Sequence, residues 1–127
     1  MERLAGRRVI VAGLFSAKVP DPEALLEVLS GQVRARSGTV VGQVLQRRGV
    51  SRSQRPGGVL LMDQPLSRKT LLGSGKVREL AALARSASAD LLVFWNPLTP
   101  HQRASLEQLT GVDVRDAHSL GLGLGLG

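Results

Sequence analysis

The chain has 127 residues, 43% of them hydrophobic, enough for one domain with a real core. It contains no cysteine, which excludes disulfides, thiolate metal sites and thiol nucleophiles, and no run of about 18 apolar residues that would span a membrane. The net charge of +7 is concentrated in one quarter of the sequence: residues 47 to 78 hold Arg47, Arg48, Arg52, Arg55, Arg68, Lys69, Lys76 and Arg78 against the single acid Asp63. Eight minus one gives +7, so the remaining nine bases and nine acids cancel and a polyanion-binding segment is expected. The alternative is a solvated basic loop with no partner.

The predicted elements alternate between strand and helix. Residues 7 to 14, "RRVIVAGL", are a continuous apolar run and read as a buried strand rather than as a signal peptide, because Lys18 and Asp21 follow closely. Asp21 is a good N-cap with Pro22 at the first helical position, and Leu25, Leu26, Leu29 and Val33 form one stripe; Gly31 weakens this helix and Gly38 is expected to end it. A second strand, less buried, is predicted at 39 to 46. Residues 49 to 72 then make a long basic loop with no sustained periodicity.

The next helix is predicted from about Gly75 to Ala87, with Val77, Leu80, Ala81, Leu83, Ala84 and Ala87 on its apolar face. "DLLVFWN", 90 to 96, is the most hydrophobic strand and is expected to be central. Thr99, Pro100 and Gln102 form a capping box ahead of a helix whose buried side is assigned to Leu106 and Leu109, with Gly111 as its stop. Residues 112 to 117 supply a short last strand. The fold class is therefore α/β: a small, mainly parallel four-stranded sheet in the order β-α-β-loop-α-β-α-β, spanning residues 1–117. A Gly/Leu low-complexity tail, 118–127, is assigned no function, and its "GLGLGLG" stretch is expected to fray.

"TLLGSGKVREL", 70 to 80, invites comparison with a phosphate-binding loop. Such a loop needs a first glycine at 70 and a hydroxyl at 77, where this chain has Thr70 and Val77. No D-x-x-G or N-K-x-D segment is present, so conventional GTP hydrolysis by these residues is set aside. Gly73, Ser74, Gly75 and Lys76 could still hold a phosphate of RNA or of ATP or GTP at a helix N-terminus; a plain glycine turn is the competing reading. His101 and His118 have no carboxylate at ligand spacing, so no metal site is expected. Ser51, Ser53, Ser67 and Ser74 have no identifiable base, and Asp113 and Asp116 read as surface or capping groups. Trp95 reads as core or rim, with a stacking platform as the alternative. No catalytic constellation is visible, and the chain is not expected to be an enzyme.

Three stretches together are similar to the N-terminal domain of the HflX family of ribosome-associated GTPases. They are Gln46-Arg47-Arg48 ahead of the loop, Gly73 to Leu80 (G-x-G-K-x-x-E-L) opening a helix, and Leu98 to Glu107 (L-[ST]-P-x-Q-x-x-x-L-E) opening the next. The resemblance, over residues 7 to 116, implies a four-stranded parallel domain that in the family precedes a helical hairpin and a Ras-like G domain. It also implies cytoplasmic location, binding to the large ribosomal subunit, the splitting of stalled ribosomes, and a link of this domain to adenine nucleotides. The family continues with D-R-T and a further helix; here Asp116 matches, while Ala117, His118 and the Gly/Leu stretch depart from the pattern. The leading expectation is a stand-alone, non-catalytic module that binds the ribosome and its RNA through the eight basic residues of 47–78. The alternatives are a nucleotide-binding domain using Gly73 to Lys76, or a truncated remnant of a full-length GTPase.

Overall fold

The structure, a computed structural model, describes residues 4–48 and 71–122. Strand β1 (Arg8–Ser16) leads into helix α1 (Pro22–Ala35) and strand β2 (Thr39–Arg48). After the segment 49–70 come α2 (Ser74–Ser86), β3 (Leu91–Phe94), α3 (Pro100–Thr110) and β4 (Asp113–Asp116). The four strands form one sheet in the order β2-β1-β3-β4, and all three pairings are parallel. Helix α1 packs on one face, while α2 and α3 pack together on the other. The predicted α/β class, strand order along the chain and parallel sheet are therefore those of the protein.

The apolar runs explain the centre of the sheet. Val9, Ile10, Val11 and Ala12 of β1, and all of Leu91–Phe94 in β3, have no exposed surface, because helices or turns cover both faces. Alternate residues divide between two cores. Ile10, Ala12, Leu92, Phe94 and Val114 join α2 and α3 around Leu80 and Leu106, whereas Val9, Val11, Leu91 and Val93 join α1 around Leu26, Leu29 and Val33.

Helix starts follow the predicted caps. The Asp21 carboxylate accepts the Ala24 N–H at 3.2 Å with Pro22 at the first helical position. Thr99 Oγ1 accepts from Gln102 N at 3.0 Å, and Gln102 Oε1 accepts from Thr99 N at 2.9 Å, closing the capping box. Gly111, with φ +79°, ends α3 in the left-handed conformation.

Three expectations need correction. At the end of α1 it is Ser37, with φ 69°, that takes the left-handed turn. Gly38 is required by crowding instead, since a Cβ there would stand 2.7 Å from Val33 Cγ1. Leu109 is 57% exposed and does not belong to the buried side of α3. The buried stripe runs from Leu106 to Thr110, four residues on, and Leu109 lies about 60° to the other side; Thr110 settles its hydroxyl on Leu106 O at 2.7 Å.

The packed unit also continues past residue 117. Leu120 is buried and Leu122 packs against the α1-side core, while Arg36 at the end of α1 donates to Leu120 O at 2.9 Å. Only residues 123–127 of the predicted tail lie outside the described residues.

The amino end of the sheet is tied by Arg7, which reaches Asp90 at 3.2 Å and Asp113 at 3.1 Å. Arg8 meanwhile donates to Ala87 O, at the C-terminus of α2, at 2.7 Å.

Gly13 carries a packing test. A Cβ there would lie 2.6 and 2.8 Å from Phe15 ring atoms and 3.2 Å from Trp95 Cβ. Gly13→Ala is expected to destabilise the domain by about 1–3 kcal/mol through overpacking. In urea melts this should appear as a lower midpoint with an unchanged slope.

Candidate functional site

Because every strand runs the same way, all four finish at one end, and the N-termini of α1, α2 and α3 gather there. Ligands of open parallel sheets enter at that carboxyl end, at the point where the strand order reverses, here between β1 and β3. In this protein that crevice is closed. The Asn96 carboxamide accepts from Leu14 N at 2.8 Å and donates to Leu14 O at 3.0 Å, continuing the ladder beyond Phe94 in the manner of a further strand residue. Around the crevice lies the rim formed by the turns and helix starts that follow the strands.

The glycine turn lies on this rim. Gly73 is the N-cap of α2, and its N–H donates to Gln46 Oε1 of β2 at 3.2 Å. Ser74, Gly75 and Lys76 form the first turn of α2, which contains no acid and has no side-chain cap. Among the described residues, no first-turn acid or side-chain cap compensates the helix's partial positive charge. Around Gly75 a Cβ would meet nothing within 4 Å, so packing does not account for its glycine. Lys76 is not an isolated cation: its Nζ stands 3.1 Å from Glu79 Oε1. Arg78 is exposed on the same helix.

Arg47 lies on the other face of the sheet. Its guanidinium donates to Ala17 O at 3.1 Å and Val19 O at 2.8 Å, in the loop between β1 and α1. Those partners are neutral carbonyls, so the charge itself is not cancelled. Arg48 is the last residue of β2. Arg52, Arg55, Arg68 and Lys69 lie outside the described residues, as do most of the predicted 49–72 loop and Ser51, Ser53 and Ser67. The described cations thus do not share a flat face; they border the carboxyl end of the sheet from both sides.

Asp116 closes the rim at β4. Its carboxylate accepts from Leu98 N at 2.7 Å, Ser119 N at 2.8 Å and Ser119 Oγ at 2.6 Å. Burial alone pushes this carboxyl up, but the Ser119 hydroxyl, the Leu98 and Ser119 N–H groups and nearby His118 outweigh it and hold the pKa below its usual value. Asp113 is exposed and pairs with Arg7, so the two acids are structural groups far apart in role. Among the described residues no group of three or more His, Asp or Glu is placed to hold a metal ion, and no helix is long and apolar enough to cross a membrane.

Sequence reasoning missed Gln46 and Asn96 as organisers of this end, whereas Asp116 is a capping group as its sequence reading allowed. A polar amide closing an apolar strand just ahead of Pro97 was the available signal for Asn96; the strand partner that makes it useful is 82 residues away.

The fold defines a small parallel α/β domain whose helices all begin at the carboxyl end of the sheet. Residues 23–123 match the family model described as GTP-binding GTPase N-terminal, and the chain belongs to that family, the HflX N-terminal domain family. No curated protein matches the chain.

The Asp116 hydrogen bonds predict a pH signature. Their contribution is complete above the ordinary unfolded carboxyl value of about pH 4 and is lost as pH falls through the lower folded value. Asp116→Asn is expected to lower stability at neutral pH and to flatten its loss below about pH 4, measured by urea melts across a pH series.

Proposed function

We propose that this domain is a non-catalytic module that binds RNA of the large ribosomal subunit through the basic 47–78 segment, in keeping with the ribosome-rescue role that the resemblance to HflX implies. The observation that carries the reading is charge segregation. The entire net excess of +7 belongs to a segment whose two described ends, Arg47–Arg48 and Gly73–Arg78, both emerge at the carboxyl rim. Arg47 spends its hydrogen bonds on carbonyls and keeps its charge for a phosphate. The Lys76–Glu79 pair is solvent-screened and weak, so an incoming phosphate can compete for the ammonium.

Binding through six to eight phosphate contacts would make the affinity fall steeply with salt, with a log–log slope of roughly −4 to −7. Ribosome pelleting over a salt series measures this. Replacing Arg52, Arg55, Arg68 and Lys69 with Gln is expected to make the slope shallower by about three while leaving the thermal melt unchanged. Absence of binding, or binding indifferent to salt, would sink the proposal.

The uncapped, acid-free first turn of α2 favours one further reading, a phosphate site for ATP or GTP at Gly73 to Lys76. Calorimetric titration with each nucleotide, repeated on Lys76→Ala, decides it: heat that the variant loses supports the site, and no heat at millimolar nucleotide removes it.

A further inference from the structure

Trp95 is the feature of the rim that salt-dependent phosphate binding leaves unused. Its N–H donates to Ala12 O at 2.8 Å, which extends β3 by one residue and sets Trp95 beside Gly13. The missing side chain at Gly13 lets the Phe15 ring lie against the indole, with centroids 4.9 Å apart and planes at 48°. Phe15 is buried, at 2% exposure, whereas Trp95 is only partly buried. Phe15 therefore supports the indole from the core, and part of the Trp95 surface stays open to solvent.

Phe15 is in register with Arg47 on the neighbouring strand. Adjacent strands thus bring Arg47, Phe15 and Trp95 to the α1 side of the carboxyl end, with Trp95 beside Gly13, two residues before Phe15. Arg47 also grips the carbonyls of Ala17 and Val19, which fixes the loop that carries exposed Lys18 between them. The carboxylate that follows in this loop, Asp21, is occupied as the cap of α1.

A guanidinium and an ammonium at the same end of the sheet as a supported, partly exposed indole match the chemistry of single-stranded RNA, with phosphates for the cations and a base face for the ring. We infer that Trp95 is a base-stacking platform, on which one unstacked nucleobase of bound RNA rests while Arg47 and Lys18 take the adjoining phosphates. This rests on the RNA-binding reading above and deepens it, because a pure phosphate binder has no use for the ring.

Trp95 is the chain's single tryptophan, so its emission reports the site directly. Short single-stranded oligoadenylate is titrated in parallel with inorganic polyphosphate, which offers charge without bases, while binding is followed independently by filter retention. Oligoadenylate should quench the emission and polyphosphate should bind without quenching. Trp95→Leu should weaken oligoadenylate binding roughly tenfold or more and spare polyphosphate, and Trp95→Phe should restore most of the loss. Lys18→Gln should weaken both ligands by a few-fold. Oligoadenylate binding with unchanged emission, or equal losses for both ligands in Trp95→Leu, overturns the platform and leaves the RNA-binding reading standing. If neither ligand binds, both fall together. The wild-type quenching comparison needs no variant to fold.

Discussion

Burial of β1 on both of its faces is the constraint from which the rest of the molecule follows. A strand that is apolar at every position from Val9 to Phe15 must be covered on both sides and flanked on both edges. Here β2 and β3 flank it, α1 covers one face, and α2 with α3 covers the other. Parallel neighbours can be joined only by crossovers, so each helix begins at the end where the strands finish. The concentration of helix N-termini at one rim is thus a consequence of making the central strand wholly apolar.

At that rim the protein uses neutral groups to hold charged ones in place. Arg47 is oriented by carbonyls, and Gly73 is seated by the Gln46 amide. Asn96 seals the crevice in which a parallel sheet of this kind ordinarily receives a small ligand. Arg47 and Lys76, both partly buried, border the rim from opposite faces of the sheet, and Trp95 lies at the same end.

The signals legible in the chain were local ones. Caps at Asp21 and Thr99, the stop at Gly111 and the apolar runs of β1 and β3 each depend on residues a few positions apart, and each sits where the pattern puts it. Failures arose where two local options were equally good. Leu106 with Leu109 and Leu106 with Thr110 both satisfy helical spacing, and only the position of the sheet selects the second. Ser37 takes the left-handed turn because Gly38 is needed against Val33. The Gly/Leu stretch has the composition of a frayed end, yet Leu120 and Leu122 find an apolar surface beside α1.

By itself the sequence determined the fold class, the order of the elements, the helix caps at Asp21, Thr99 and Gly111, and the segregation of positive charge along the chain, because these are set by periodicity, capping chemistry and composition. Tertiary structure alone decided where the cations lie: Arg47 and Lys76 are 29 positions apart in the chain and border one rim from opposite faces of the sheet. It also decided that Asn96 bridges the switch point and that Trp95 packs against Phe15. Those facts depend on strand order and register, which bring distant residues together through contacts that no short window of sequence contains.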